Sequence, residues 1–575
     1  MKRQGTWVFS CLSICAYAQE KAPADSAKIL NEVIVHAYAT NRSLKETPVA
    51  LGLLAEKELN RFSNTSILPA VNTIPGVRME ERSPGSYRFS IRGSTIRSPF
   101  GVRDVKFYWN GLPLTDGGGN TYLNLLDFDA FGRAEIIKGP GGSLYGAGTG
   151  GVVLLTSPLT YQKQLQFTAS GGSFGLQRYQ GRVILGNAGR KLFVNYAHQQ
   201  SDGYRQQSAM RRDAVNVEGS FSMGSKSTLQ TYVFYTDLYY QTPGGLTQAQ
   251  YDASPSQARP GPPGPPGAVA QHASIYNKTI YGGTVYETQW AQNWSTRAGF
   301  YSSYTDYTNP SIRNYERRTE FNLGGRTDTR YEFVKDNWRG KLTAGVEWQY
   351  FFSPLTDYNN NLGVQGTVQT DDRLTANNFL TFIQAEIDLP RNFYLTLGGS
   401  GNFLNYGFNR LAGPFPGPQK RNFDPVFSPR LALLKKFNES FSAYGSVSKG
   451  FSAPSLAEVL PSSGVYSNTL APEEGINYEA GIRGKLLNAI SFDIAAYDFE
   501  LNQAIVGQNN GDHFINAGNT SQKGLETYLA WQPGNSSRSQ LRAWVSYTLT
   551  NYRFVNYKPD TINNYSGKKW TGTAP

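Results

Sequence analysis

The sequence predicts an all-β transmembrane barrel preceded by a compact α+β domain. Three observations carry that prediction. Apolar and polar side chains alternate with a period of two over roughly 400 residues, the pattern of strands with one face in lipid. The 575 residues include 36 Tyr, 32 Phe and 9 Trp, many of them near the ends of the alternating runs, yet mean hydropathy is only −0.44. Beyond residue 18, no run approaches the ~18 apolar residues that a spanning helix requires. A soluble β-sandwich shows the same alternation, but not over this length with long loops on alternate connections.

The N-terminus reads as a secretory signal over residues 1–18. Lys2 and Arg3 precede the apolar run WVFSCLSICA, and Ala16-Tyr17-Ala18 supplies a small-x-small cleavage site. Both cysteines, Cys11 and Cys15, fall inside it. The exported chain is therefore expected to carry no disulfide and no cysteine-ligated metal. Formal net charge is +12, two of it within the signal, with no compact basic run of the nucleic-acid-binding kind. Residues 19–43 are polar and read as flexible, interrupted by the hexad EVIVHA: Glu32, Val33, Ile34, Val35, His36 and Ala37.

Residues 44–158 read as the mixed domain. A helical period fits Ala55 to Phe62 and Ser66 to Ile74, and Pro75-Gly76 stops it. Strand candidates follow in YRFSIRG, VKFYWNG, RAEIIKG and GVVLLTS. Between the last two lies a tract with glycine at 139, 141, 142, 146, 148, 150 and 151. A phosphate cradle needs a helix N-terminus after its glycines, whereas the exit here is β-branched and ends at Pro158.

Residues 159–575 form the alternating region. In KLTAGVEWQY, Leu342, Ala344, Val346, Trp348 and Tyr350 share one face, and Lys341, Thr343, Glu347 and Gln349 the other. Ile476, Tyr478, Ala480 and Ile482 likewise oppose Asn477, Glu479 and Arg483. RPGPPGPPG, Arg259 to Gly267, reads as a stiff polyproline-like loop. GGSFG, Gly171 to Gly175, matches a nucleophile elbow only formally, because no helix follows it. His36, His198, His272 and His513 do not pair at i, i+4 with a second ligand. No enzyme, resident cofactor or metal site is expected.

Four blocks in order resemble TonB-dependent outer-membrane receptors, nearest the siderophore and ferric-citrate type. They are EVIVHA; LPAVNTIPGVRM with FSIRGS, VKFYWNGLPLTD and the glycine tract; YGSVSKGFSAPSLAEVLPSSG with NTLAPEEGINYEAGIRG; and INAGNTSQKGLE. The resemblance implies a 22-stranded barrel with the mixed domain as a plug in its lumen, in the outer membrane of a Gram-negative bacterium. It implies a monomer that imports a ferric chelate, amid lipid and lipopolysaccharide, with energy from the TonB–ExbB–ExbD complex.

In that resemblance EVIVHA is the TonB box, an apolar hexad suited to strand addition, with His36 where Thr is commoner. Arg92 and Lys138 on the plug, and Glu479 and Glu526 on the polar faces of their strands, match a plug–barrel lock. The plug loops SPGSYR and STIRSPFGVRD carry Arg82, Arg97, Phe100 and Arg103, the expected contacts for an anionic chelate. The chain stops at GKKWTGTAP, so about 415 residues after the plug supply roughly 16 to 18 strands and the last few are expected to be missing. Other cargoes (cobalamin, another metal chelate, an oligosaccharide) and a passive porin or adhesin remain open.

Overall fold

The computed structural model describes residues 34–570 except 98–100, 160–162, 262–265, 461–465, 488, 509–512, 534–540 and 560–561. Its larger part is one antiparallel sheet of eighteen described strands, paired in chain order from Gln164–Gly171 to Ala543–Asn556. One of them, Gly417–Asn422, is a short branch; Phe393–Ala412 pairs with it and also with Val426–Asn438. Among the described residues no helix is long and apolar enough to cross a membrane.

The alternation resolves into an inverted arrangement. Along Trp338–Asn361, Thr343, Glu347 and Gln349 are buried, while Leu342, Val346 and Trp348 are more than a third exposed. Along Glu473–Leu486, Asn477, Glu479 and Arg483 are buried and Ile476, Tyr478 and Ile482 exposed. Polar side chains thus point into the lumen and apolar ones outward to lipid. Turns at Asn187–Gly189, Met223–Lys226, Gln292–Asn293, Asp336–Asn337 and Glu439–Ser440 crowd one rim. The longer connections 242–273, 453–472 and 503–518 lie at the other. Short turns mark the periplasmic rim and long loops the extracellular one.

The lumen holds a five-stranded sheet in the order Leu51–Ala55, Arg133–Lys138, Gly151–Thr156, Val105–Trp109, Leu112–Pro113. Only the pair Gly151–Thr156 and Val105–Trp109 is parallel. All five residues of Val105–Trp109 are buried, as expected for a strand covered on both faces. A smaller sheet joins Val77–Ser83, Ser86–Ile91 and Gly101–Val102. The helices are shorter than the periodicity predicts: Glu56–Leu59 and Leu68–Val71 are single turns. Packing against the wall, rather than helix length, stabilises such short turns. A third turn, Gly142–Tyr145, sits inside the glycine tract, where the sequence predicts none.

Plug and wall share one core. Trp109 packs against Tyr232 in a tilted pair with ring centroids 4.5 Å apart, and Tyr281 stacks on Tyr301 at 5.6 Å. The Tyr232 and Tyr281 hydroxyls donate to the carbonyls of Trp109 and Pro113 at 3.1 Å each. These inward aromatics hold the plug sheet at a fixed height in the lumen.

Candidate functional site: a charged cluster between plug and wall beneath a small cavity

The glycine tract is where plug backbone meets charge and wall. Gly139 has φ +80°, and a Cβ there would lie 2.8 Å from Arg92 Nη1. A Cβ on Gly142 would lie 3.1 Å from Ser428 Cβ on the barrel. Glycine at these positions lets the tract approach both.

Arg92 follows the strand Ser86–Ile91 and adopts φ 48°, rare for a residue with a side chain. Its Nε and Nη2 donate to Glu526 at 2.9 and 3.1 Å, and its Nη1 lies 2.8 Å from Glu479 Oε2. Lys138 Nζ lies 2.8 Å from Glu526 Oε2 and donates to the Pro75 carbonyl at 3.1 Å. Glu479 Oε1 also accepts from the Ala50 amide at 2.9 Å and the Tyr444 hydroxyl at 3.1 Å. The Arg92 guanidinium lies 3.9 Å from the Tyr497 ring centroid. The structure therefore brings Arg92, Lys138, Glu479 and Glu526 into one cluster, each buried. Two cations facing two carboxylates meet the requirement that buried charge be paired.

Of the hexad, Glu32 and Val33 lie outside the described residues. Ile34–Val35 pairs antiparallel with Arg42–Ser43. Ile34 is exposed, whereas Val35 and Ala37 are fully buried. Residues 34–43, which the sequence reads as flexible, are pinned near the periplasmic rim. Glu135 accepts the His36 amide through both oxygens, at 3.0 and 2.9 Å, and the Ala37 amide at 2.9 Å. Gln384 Nε2 donates to the Tyr38 carbonyl at 2.7 Å and Lys341 Nζ to the Ala39 carbonyl at 2.8 Å. Polarity in the hexad's surroundings suggested a free tail; the tertiary partners of its backbone decide otherwise.

The four residues expected to contact a ligand fare differently. Phe100 lies outside the described residues. Arg82 is exposed in the strand Val77–Ser83 and does not line the cavity described below. Arg97 is 2 % exposed, and its donors are taken by the protein. Nε and Nη2 donate to Glu458 at 3.0 and 2.6 Å, and Nη2 also to the Ala453 carbonyl at 2.8 Å. Nη1 reaches Ser452 at 2.8 Å, Glu473 at 3.2 Å and Asp104. Three carboxylates on one guanidinium leave Asp104 short of positive charge. Burial, offset by Arg97 but reinforced by Glu473 and Glu458, pushes the Asp104 carboxyl well above its ordinary range.

Arg97 joins more than two elements. Glu458 sits in the capping box of the turn Leu456–Val459, in the connection 453–472. Glu473 Oε2 accepts from the amide of Ile505, at the start of the connection 503–518, at 3.0 Å. One plug side chain thus holds two extracellular connections. The Ser-x-x-Glu spacing at Ser455 was a readable cap signal, but its link to Arg97 was not.

Arg103 lines a cavity of about 90 Å³ between the plug and the wall. Arg97, Lys106 and Asp116 line it from the plug, and Gln349, Asn378 and Tyr406 from the barrel. Lys106 Nζ and Arg326 Nη1 each lie 2.7 Å from Glu347, and the Tyr108 hydroxyl donates to it at 3.0 Å. Sequence reasoning missed this pairing and also Arg178 with Asp127 at 2.7 Å. The available signal was the placing of Glu347 on a polar, inward strand face. Among the described residues no group of three or more His, Cys, Asp or Glu side chains could hold a metal ion.

The family model for the TonB-dependent receptor plug domain matches residues 43–153, and that for the TonB-dependent receptor-like β-barrel matches residues 220–575. The iron-regulated outer membrane virulence protein of Vibrio cholerae is 22% identical over 84% of this chain and 70% of its own length. The ferrioxamine receptor of Yersinia enterocolitica is 24% identical over 92% of this chain and 77% of its own. Among solved structures, the unliganded ferric citrate transporter FecA superposes with a TM-score of 0.73 at 17% identity, covering 88% of this chain and 78% of FecA. The siderophore receptor PiuA from Acinetobacter baumannii gives 0.71 at 16%, covering 89% and 80%. With a plug model followed by a barrel model over most of its length, the chain belongs to the family of TonB-dependent outer-membrane receptors.

Proposed function

We propose that this protein imports a ferric chelate across the outer membrane by TonB-dependent active transport. The observation that carries the reading is the placing of two sites on opposite sides of one plug. A polar cavity that includes Arg103 opens toward the long connections, and the segment beginning at Ile34 lies near the short turns. Between them stands the cluster of Arg92, Lys138, Glu479 and Glu526, which serves as the plug–barrel lock.

In this reading the chelate enters from outside and binds above the plug. The hexad Glu32 to Ala37 then leaves its place and adds as a strand to TonB. Force from the TonB–ExbB–ExbD complex rearranges the plug, and the receptor works as a monomer within lipid and lipopolysaccharide. The relatives named for iron regulation and ferrioxamine support this cargo class. The direct experiment measures radioactive iron uptake in iron-limited cells that carry only this receptor. Uptake should require the chain and vanish on deletion of residues 32–37; uptake that survives the deletion favours a passive barrel.

A further inference from the structure

Two complementary charges face the cavity without meeting. Among the described residues, Arg103 makes no ion pair, and its Nη1 donates only to the carbonyl of its neighbour Val102, at 3.0 Å. Asp116 accepts the Asn120 amide on Oδ1 at 2.8 Å, while its Oδ2 has no partner. Asn378 donates Nδ2 to the Gly117 carbonyl at 2.9 Å, which leaves its Oδ1 unpartnered as well. The other two cations of the lining are committed, Arg97 to Glu458 and Glu473 and Lys106 to Glu347. What remains for a ligand is one guanidinium, one carboxyl oxygen and one amide oxygen. The volume suits a single polar arm or several waters rather than a whole chelate.

We propose that the cavity receives an arm of the chelate bearing both a free carboxylate and an N–H or O–H donor, with Arg103 on the carboxylate and Asp116 and Asn378 on the donor. This rests on the ferric-chelate reading and narrows it. A bidentate guanidinium–carboxylate contact fixes the arm's orientation. An arm carrying only acceptor oxygens sets them against the ionised Asp116 carboxyl and leaves both protein oxygens unpaired. An arm carrying only an ammonium group faces Arg103 with like charge. Sites built around a hydrogen bond reject analogues that lack it more strongly than apolar pockets reject a missing methylene. Chelates in which two citryl groups are joined through amides to a diamino acid have the required pair of groups: the citryl oxygens hold the metal, and the diamino acid's own carboxylate stays free beside an amide N–H.

The test measures binding to the purified full-length receptor by titration calorimetry with three gallium complexes. The first is a citryl diamide in which two citryl groups are joined to a diamino acid that keeps its own carboxylate free, the second a tris-catecholate, the third a linear trihydroxamate with a terminal ammonium group. The citryl diamide should bind at least about tenfold more tightly than the other two. Arg103→Gln and Asp116→Asn should each remove most of that preference while the barrel keeps its heat-modifiable mobility. Equal or tighter binding of the tris-catecholate or the trihydroxamate by the unaltered receptor overturns the arm assignment and leaves the import reading standing. So does an unchanged ranking in both folded variants. Failure of all three complexes to bind overturns the ferric-chelate reading and this inference with it.

Discussion

The Glu135 carboxylate grips the backbone amide of His36 with both oxygens, at 3.0 and 2.9 Å, although 99 residues separate them in the chain. Glu135 is fully buried and also pairs with Arg133 at 3.0 Å. Arg133 in turn donates to the Ile34 carbonyl at the entry of the same segment. Hydrogen bonds to a charged group are worth roughly 1.5–3 kcal/mol each. Glu135→Gln should therefore free the segment in a larger fraction of unliganded receptors. A purified periplasmic TonB domain should bind the ligand-free variant about tenfold or more tightly than it binds the ligand-free parent. Unchanged affinity, with a spin label beside the hexad equally immobile, would show that Glu135 does not hold it.

Glu526 faces both Arg92 and Lys138 at 2.9 and 2.8 Å. Removing the shared partner of two buried cations costs roughly 3–5 kcal/mol. Glu526→Ala should thus loosen the plug, seen as faster hydrogen exchange across Arg133–Lys138 and Gly151–Thr156 with the barrel strands unaffected. Glu526→Gln should be intermediate, because it keeps hydrogen-bonding atoms but not the charge. Exchange equal to that of the parent in Glu526→Ala would falsify the lock.

Arg97→Ala leaves Glu458, Glu473 and Asp104 buried without their cation. Exchange should rise together at Leu456–Val459 and Ile505–Gln508, two segments distant in sequence that the one guanidinium holds. Arg97→Lys keeps the charge but loses the bidentate contact to Glu458, so it should free Leu456–Val459 more than Ile505–Gln508. If only one segment responds to Arg97→Ala, the residue is a local contact rather than a shared anchor.

Asp116 gives a pH signature. Burial, with the field of Glu320 added, pushes its carboxyl up from 3.8 to about 7; the Asn120 amide, Arg103 and Arg318 pull the other way. Because the folded value lies above the unfolded one, the native state holds the extra proton between about pH 4 and pH 7. Stability from this group is therefore full below the unfolded value and falls as pH rises through that window. A ligand donor favours the ionised carboxyl, so affinity should rise from pH 6 to pH 8 in the parent. In Asp116→Asn that rise should be absent. A rise of the same size in the variant would assign it to another group.

The sequence by itself determined the barrel and its contents. A period of two is enforced residue by residue, because a strand between lipid and a filled lumen has no other way to place its side chains. That rule alone puts Glu347, Glu479 and Glu526 on inward faces, where all three are buried. The strand segments of the plug were legible for the same local reason, down to the β-branched exit of the glycine tract at Gly151–Thr156. Only the tertiary structure decided partners. Arg97 and Arg103 look alike in STIRSPFGVRD, yet one is saturated by Glu458 and Glu473 and the other faces a cavity. Likewise a polar tail became a buried turn because Glu135 offers acceptors to its amides. Pairing of this kind joins residues up to several hundred positions apart, and buried charge is stable only where a specific opposite charge meets it. No local pattern encodes that distance.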